Sequence, residues 1–286
     1  MNSSTDRLLH RFKALADPVR VRLVKLCSAA ECSVSELTQV TGLSQPRVSQ
    51  HLKQLIAADL LERFRDGHFV YYRVPQGGAQ PLDRRRLLGL LPDAEPEFAR
   101  DLDQLRSLRA VDEERDGGTS GEDRFLHKAL VELTVAAPLG DLLDIGCGEG
   151  RLLKLLASRA NRVVGVDIDP EARRLARAEL LLAGLPNCSL RQGDMYRLPF
   201  EDGAFDTVIL DDVLSDARQP TEALQEARRL LRAGGRLLLL ASVGTHAPSQ
   251  LKEKFAAWAA ASGLRLAAPR SIPEKQPGWL LGVATS

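Results

Sequence analysis

The sequence predicts two folds in one chain: a mainly α unit closed by one β hairpin, then an α/β unit with a mostly parallel sheet. Three observations carry this. Apolar residues recur at helical spacing from Asp6 to Asp59, then give way to two short β-rich runs about an Asp-Gly turn. A glycine-rich stretch, Asp116-Gly117-Gly118-Thr119-Ser120-Gly121, interrupts the chain. From Glu122 onward short strands alternate with amphipathic helices. The expected divisions are residues 1–75, a helical connector at 76–121, and residues 122–286. With 286 residues, 44% hydrophobic and 27% charged, both units can bury a core, and a disordered chain is excluded.

In the first unit, Leu8, Leu9, Phe12 and Leu15, then Val19, Leu23 and Leu26, mark two helices. They part at Asp17-Pro18, with Asp17 as N-cap and Pro18 in the first turn. Ser33-Val34-Ser35-Glu36-Leu37 opens a third helix that ends at Gly42, a left-handed C-cap. Ser44 caps a fourth, from Gln45 to Asp59, where Pro46 is tolerated in the first turn. Segments 61–65 and 69–74 flank Asp66-Gly67 as a two-stranded ribbon. Helices followed by one hairpin read as a helix-turn-helix with a wing. The connector holds helices near 83–91 and 97–114. On the second, Leu102, Leu105, Leu108 and Val111 form a stripe that packs either on a neighbouring domain or on a second copy.

In the second unit, strands are expected at 142–145, 162–166, 189–192, 207–210, 236–241 and 279–285. Helices are expected near 151–159, 170–183, 221–231 and 249–262. The first strand runs into Asp144-Ile145-Gly146-Cys147-Gly148-Glu149-Gly150-Arg151, where glycines let a ligand approach the backbone. A dinucleotide fingerprint needs Gly at 151, and Glu149 would sit badly beside a pyrophosphate. An acidic residue followed by Gly146, Gly148 and Gly150 suits a cationic, phosphate-free ligand instead. Asp167 ends the second strand, where a carboxylate accepts ribose hydroxyls; the alternative role of helix N-cap falls to Asp169. Asp194 and Met195 end the third. They read either as an adenine amine acceptor with an apolar ring cover or as an ordinary loop.

On these motifs, residues 122–286 resemble class I S-adenosylmethionine-dependent methyltransferases of the small-molecule type, with a Rossmann-like fold. The motifs are Leu-Asp-Ile-Gly-Cys-Gly-Glu-Gly (143–150), Val-Gly-Val-Asp-Ile-Asp (164–169), Gln-Gly-Asp-Met (192–195), Phe-Asp-Thr-Val (205–208) and Leu-Leu-Arg-Ala-Gly-Gly-Arg-Leu (230–237). The resemblance implies that Asp144 and Gly146 hold the methionine end of S-adenosylmethionine or S-adenosylhomocysteine. It implies Asp167 and Ile168 for ribose and the adenine face, and Asp194 and Met195 for the adenine edge. The fourth strand ends in Leu210-Asp211-Asp212-Val213, and the Asn-Pro-Pro-Tyr motif of amine methylation is absent. Asp211 or Asp212 reads as a general base, as an anion drawing the sulfonium charge, or as a solvated acidic loop. Related fusions carry a His near this point. The helix before the first strand reads as short and poor in aromatic residues, and 242–250 leaves little room for a substrate insertion, so His246 is read as a surface residue.

Residues 7–75 resemble the arsenic-repressor (ArsR/SmtB-type) winged-helix family through Phe12-Lys13-Ala14-Leu15-Ala16-Asp17-Pro18-Val19-Arg20, Ser44-Gln45-Pro46-Arg47-Val48-Ser49-Gln50-His51-Leu52 and the wing. The resemblance implies a dimer on double-stranded operator DNA, with helix 44–59 in the major groove. Val48, Leu52 and Leu55 face inward. Gln45, Arg47, Ser49, Gln50 and Lys53 face out, where Arg can fork onto guanine and Gln onto adenine. Arg63, Arg65, His68 and Arg73 suit phosphates. Net charge is only +1, but residues 1–75 hold eleven Lys/Arg against seven Asp/Glu. Metal-sensing relatives carry Cys-Val-Cys where this chain has Ser33-Val34-Ser35, and Cys32 is read as lacking a partner, so no regulatory metal is expected. Cys27, Cys32, Cys147 and Cys188 form no C-x-x-C pair, no apolar run reaches ~20 residues, and the N-terminus does not read as a signal peptide. A cytoplasmic, non-membrane protein is expected. The leading reading is a regulator whose methyltransferase-like domain takes the cofactor as effector; the alternative is a working small-molecule methyltransferase with an autoregulatory DNA-binding domain.

Overall fold

The computed structural model describes all residues except 1–3, 67–68, 76–80, 93–94, 111–120, 245–246 and 276. The wing turn at Gly67, His68, most of the glycine-rich linker, Val111 and His246 therefore lie outside the described residues. The chain divides into two compact units, the first Met1–Arg115 with Leu181–Pro186, the second Asp116–Leu180 with Asn187–Ser286.

The first unit contains α1 (Ser4–Leu15), α2 (Pro18–Ala29), β1 (Cys32–Ser33), α3 (Val34–Thr41), α4 (Gln45–Ala57), β2 (Glu62–Asp66), β3 (Phe69–Arg73), α5 (Pro81–Leu88) and α6 (Pro96–Ala110). Local chemistry fixes the boundaries. The Asp17 side chain accepts from the Arg20 N–H at 3.0 Å and starts α2 at Pro18. Ser33 and Glu36 form a reciprocal capping box on α3, which ends at Gly42 with φ 68°. Ser44 occupies the N-cap of α4, but its side chain makes no capping hydrogen bond among the described residues. The sheet has three strands in the order β1-β3-β2, not two, because Cys32 and Ser33 pair with Tyr72 and Tyr71. The core gathers Leu23, Leu26, Leu37, Val48, Leu52 and Leu55.

Helix α6 is part of this unit. Leu105 is fully buried in its core, and Leu102 packs against it, while Leu108 stays partly exposed. Of the two roles the stripe allowed, Leu102 and Leu105 therefore serve their own unit. Ion pairs fasten the helix: Arg22 forks onto Asp101 through Nε and Nη2 at 2.7 Å and reaches Glu97 at 3.3 Å, and Arg109 donates to Glu36 at 2.7 Å and to the Glu31 carbonyl at 2.7 Å.

The second unit contains α7 (Gly121–Ala136), β4 (Asp141–Ile145), α8 (Arg151–Leu156) with a 3-10 turn (Ala157–Arg159), β5 (Arg162–Asp167), α9 (Pro170–Leu182), β6 (Cys188–Gln192), β7 (Phe205–Asp211), α10 (Pro220–Leu230), β8 (Leu231–Ser242), α11 (Pro248–Ala261), β9 (Arg265–Leu266), β10 (Arg270–Ile272) and β11 (Trp279–Thr285). The sheet runs β10-β11-β8-β7-β4-β5-β6, with β9 on β11. The strands from β8 to β6 are parallel, and β11 is antiparallel to β8. Strands β9 and β10 are additions to the sequence reading. So is the length of α7: its 16 residues correct the short helix expected there, and it does carry an aromatic residue, Phe125. The chain leaves β4 toward β5 and β6, then returns to the other side of β4 as β7. Ligands of open α/β sheets bind at such a reversal, outside the carboxyl ends of the strands on either side of it, here β4 and β7.

Candidate functional site

The loop between β4 and α8 stands at this reversal. Gly146, Gly148 and Gly150 all have positive φ, at 75°, 52° and 83°. A Cβ on Gly146 would collide with Val213, so only glycine passes there. At Gly148 a Cβ would meet nothing within 4 Å among the described residues, so this side of the turn is open. The loop is tied to the end of β5: the Gly146 and Cys147 N–H groups donate to the Val166 carbonyl at 2.7 and 3.0 Å. The Gly148 N–H donates to Asp167 Oδ2 at 2.8 Å, and the Asp169 N–H donates to Asp167 Oδ1 at 2.8 Å. Asp167 thus ends β5 beside the glycine turn and holds it.

Asp144, on β4, is 1% exposed, and its Oδ1 has no hydrogen-bond partner among the described residues. Leaving a buried polar atom unmet costs about 1–3 kcal/mol. Burial pushes its carboxyl well above the ordinary range, the Asp211 charge adds to this, Arg151 opposes it, and Asp167 raises it further. Ile168 is 67% exposed, an apolar side chain next to Asp167. Asp194 is exposed and accepts from the Tyr196 N–H at 3.1 Å, while Met195 is half-buried against the core.

At the end of β7 the two acidic candidates have different surroundings. Asp211 Oδ2 accepts from Arg151 at 2.9 Å, and the Arg151 guanidinium lies 4.8 Å from the centre of the Trp279 ring. Asp212 has φ 57°, and its two oxygens accept from the Ser242 N–H at 3.0 Å and Oγ at 2.7 Å, bracing β7 against the end of β8. Sequence reasoning gave no role to Arg151 or Trp279. A cation one residue past a glycine turn and beside acidic strand ends was the available signal for Arg151; nothing marked Trp279, which is 128 positions away.

In the first unit, α4 buries Val48, Leu52 and Leu55, as its spacing requires. Gln45, Arg47, Gln50 and Lys53 are exposed, and Ser49 is half-buried. Arg63 and Arg65 are exposed on β2. Arg73 departs from the outward role expected of it. Its guanidinium bonds Glu62, reaches Glu31 at 3.3 Å and lies over the Phe64 ring at 5.2 Å, so it is committed to partners in the wing and just before β1. Cys32 is buried, with its thiol donating toward the Ala30 and Leu26 carbonyls at 3.5 and 3.7 Å. Burial first, and Cys32 second, push the Cys27 thiol well up, which favours the inert protonated form. Among the described residues no group of three or more His, Cys, Asp and Glu side chains could hold a metal ion. No helix among them is long and apolar enough to cross a membrane.

Comparison with known proteins agrees with both halves. Residues 17–63 match the family described as bacterial regulatory protein, arsR family, and residues 143–239 match a methyltransferase domain. An uncharacterized 37.1 kDa protein in transposon TN4556 of Streptomyces fradiae is 38% identical over 124 residues, covering 42% of this chain and 35% of that protein. The ubiquinone/menaquinone biosynthesis C-methyltransferase UbiE of Ectopseudomonas mendocina is 33% identical over 126 residues, covering 43% of this chain and 49% of the enzyme. The chain therefore spans between about a third and a half of the length of these two relatives. The crystal structure of the [4+2]-cyclase SpnF superposes with a TM-score of 0.50 at 18% identity, covering 61% of this chain and 85% of that one. A cyclase on this fold means that the fold alone does not assign methyl transfer. The chain combines an arsR-family regulatory helix-turn-helix at residues 17–63 with a methyltransferase-fold domain matched over residues 143–239.

Proposed function

We propose that this protein is a DNA-binding transcriptional regulator whose methyltransferase-like domain takes S-adenosylmethionine or S-adenosylhomocysteine as its effector. The observation that carries the reading is the buried Asp144 Oδ1 without a partner among the described residues, on the strand that runs into the glycine turn with its open position at Gly148. A carboxylate so placed is completed by a ligand ammonium, and the bare backbone at Gly148 accommodates close approach. Asp167 then serves the ribose, Ile168 covers one face of the adenine, and Asp194 with Met195 serve its edge. Gly146 and Gly150 shape the turn. When bound, S-adenosylmethionine supplies an electrophilic methyl group on a sulfonium.

The carboxylates nearest the acceptor side favour binding over turnover. Asp211 is tied to Arg151, and Asp212 is tied to Ser242. A general base must be in reach of the proton that it removes, and both candidates hold partners of their own. The second reading, an active small-molecule methyltransferase with an autoregulatory DNA-binding domain, is favoured by the named methyltransferase among the relatives. Calorimetric titration with each form of the cofactor tests the pocket. Incubation with methyl-labelled S-adenosylmethionine and cell extract then separates the readings: label in a product supports the enzyme, and tight binding without transfer supports the effector role.

On the DNA side, Gln45, Arg47, Ser49, Gln50 and Lys53 would read base edges, and Arg63 and Arg65 phosphates. His68 remains a proposed phosphate contact. Leu8, Leu9 and Phe12 are exposed on α1, and an apolar surface of this kind suits a homodimer on a two-fold operator. Such a regulator works in the cytoplasm. The effector acts only if it binds the DNA-competent and DNA-incompetent states unequally.

A further inference from the structure

Helix α9 buries two arginines one turn apart, Arg173 at 1% and Arg177 at 6% exposure. A guanidinium taken this far out of water must find its hydrogen bonds inside the protein. A cation in the first turn of a helix also meets the positive end of the helix dipole. An apolar side chain at 173 would avoid both costs, so the helix alone gives no reason for the charge. The contacts of Arg173 do. Its Nη1 donates to the Asp167 main-chain carbonyl at 2.9 Å, and the Gly193 N–H donates to the same oxygen at 3.2 Å. Asp167 and Gln192 are the last paired residues of β5 and β6, so this shared carbonyl ties the two strand ends beyond the ladder. Gly193 is closely packed: a Cβ there would lie 2.6 Å from the Leu198 and Val166 side chains. One turn along α9, Arg177 Nη2 donates to the Leu190 carbonyl at 3.3 Å and fastens β6 to the same helix. The charge of Arg173 is also felt in the glycine turn. Burial, then Asp144 and Asp167, push the Cys147 thiol well up, and Arg173 opposes them.

We propose that Arg173 is a positioning residue for an adenine nucleoside with a free ribose diol, fixing Asp167 against Asp194 through the Asp167 carbonyl that it shares with Gly193. This deepens the effector reading above and rests on it. The Asp167 side chain is held by the Gly148 and Asp169 N–H groups, and its main chain by Arg173 and Gly193. With side chain and main chain both fixed, the carboxylate has one orientation to offer to vicinal hydroxyls. Asp194 follows Gly193 directly, so the same tie sets how far the adenine edge stands from the ribose. A binding constellation works when its groups are held within ~0.5 Å. A guanidinium buried behind the strand ends supplies that constraint without touching the ligand.

The test is competition calorimetry on the full chain with S-adenosylhomocysteine, adenosine and 2′-deoxyadenosine. Wild type, Arg173→Met and Arg173→Lys are compared, with the thermal midpoint of each. Wild type should prefer adenosine to 2′-deoxyadenosine about tenfold, the scale of one hydrogen bond to a charged group. Arg173→Met leaves the Gly193 bond to the carbonyl but frees the strand end to shift. It should weaken S-adenosylhomocysteine and adenosine by the same factor, about tenfold, and remove most of the diol preference. Arg173→Lys keeps a cation but not the planar fork, and should fall between the two. A general loosening of the unit would weaken both nucleosides alike, so the ratio between them separates positioning from stability. A wild-type ratio in Arg173→Met, or in Arg173→Lys where the Met variant fails to fold, overturns the proposal. So does a wild-type chain that binds S-adenosylhomocysteine yet shows no preference between the nucleosides. A wild-type chain that binds none of the three overturns the effector reading and this inference together.

Discussion

On the proposed function, Asp144 joins stability and binding in one side chain. Its carboxyl is held well above the ordinary range by burial and then by Asp211, with Arg151 opposing and Asp167 adding. A ligand ammonium needs the ionised form, so affinity for S-adenosylmethionine should fall as pH is lowered, and binding should release protons. Calorimetry over a pH series in buffers of different ionisation heat checks this. Asp144→Asn should lose at least tenfold in affinity together with the pH dependence. The same raised value means that the folded state resists ionisation, a cost that grows as pH rises above the unfolded carboxylate range. Asp144→Asn should therefore raise the thermal midpoint of the ligand-free C-terminal unit at neutral pH. Asp167→Ala should abolish ligand binding while DNA binding persists; Asp167→Asn, which keeps an acceptor for the Gly148 N–H, should retain part of it. The acidic strand ends and the glycines were legible in sequence because backbone geometry and charge constrain residue type there. Arg151, Trp279 and the inward turn of Arg73 were not, because long side chains choose partners far away in sequence.

At the scale of elements, α3 and α6 share the buried Glu36–Arg109 pair. Burial alone would raise the Glu36 carboxyl, but Arg109 and the Ser33 cap outweigh it and hold it below the ordinary range. Stability from this pair is present above the unfolded carboxylate range and is lost as pH falls through the lowered value. Arg109→Met should destabilise the first unit by about 3–5 kcal/mol, the usual cost of stripping one partner from a buried pair, and should flatten its acid limb. Chemical denaturation followed at pH 4 and 7 measures both. Along α4, Arg47→Ala should weaken DNA binding and relax preference at one base pair, which a panel of single-base operator variants detects. Longer elements were readable from their period and caps. Strands β1, β9 and β10 span two or three residues and carry no period, so only the finished sheet defines them. The stripe on α6 showed an apolar face but not what would cover it.

At the scale of the whole molecule, one chain carries an arsR-family helix-turn-helix and a methyltransferase fold, and the account stands on their being coupled. Coupling is a difference in free energy, so it is reciprocal: whatever the cofactor does to DNA affinity, DNA does to cofactor affinity by the same factor. The most direct measurement is operator affinity by fluorescence anisotropy without ligand, with saturating S-adenosylmethionine, and with saturating S-adenosylhomocysteine. The account predicts a shift of about tenfold or more, roughly 1.4 kcal/mol of coupling, with at least one of the two ligands, lost in Asp144→Asn. Equal operator affinity in all three conditions, with ligand binding verified on the same samples, would contradict it.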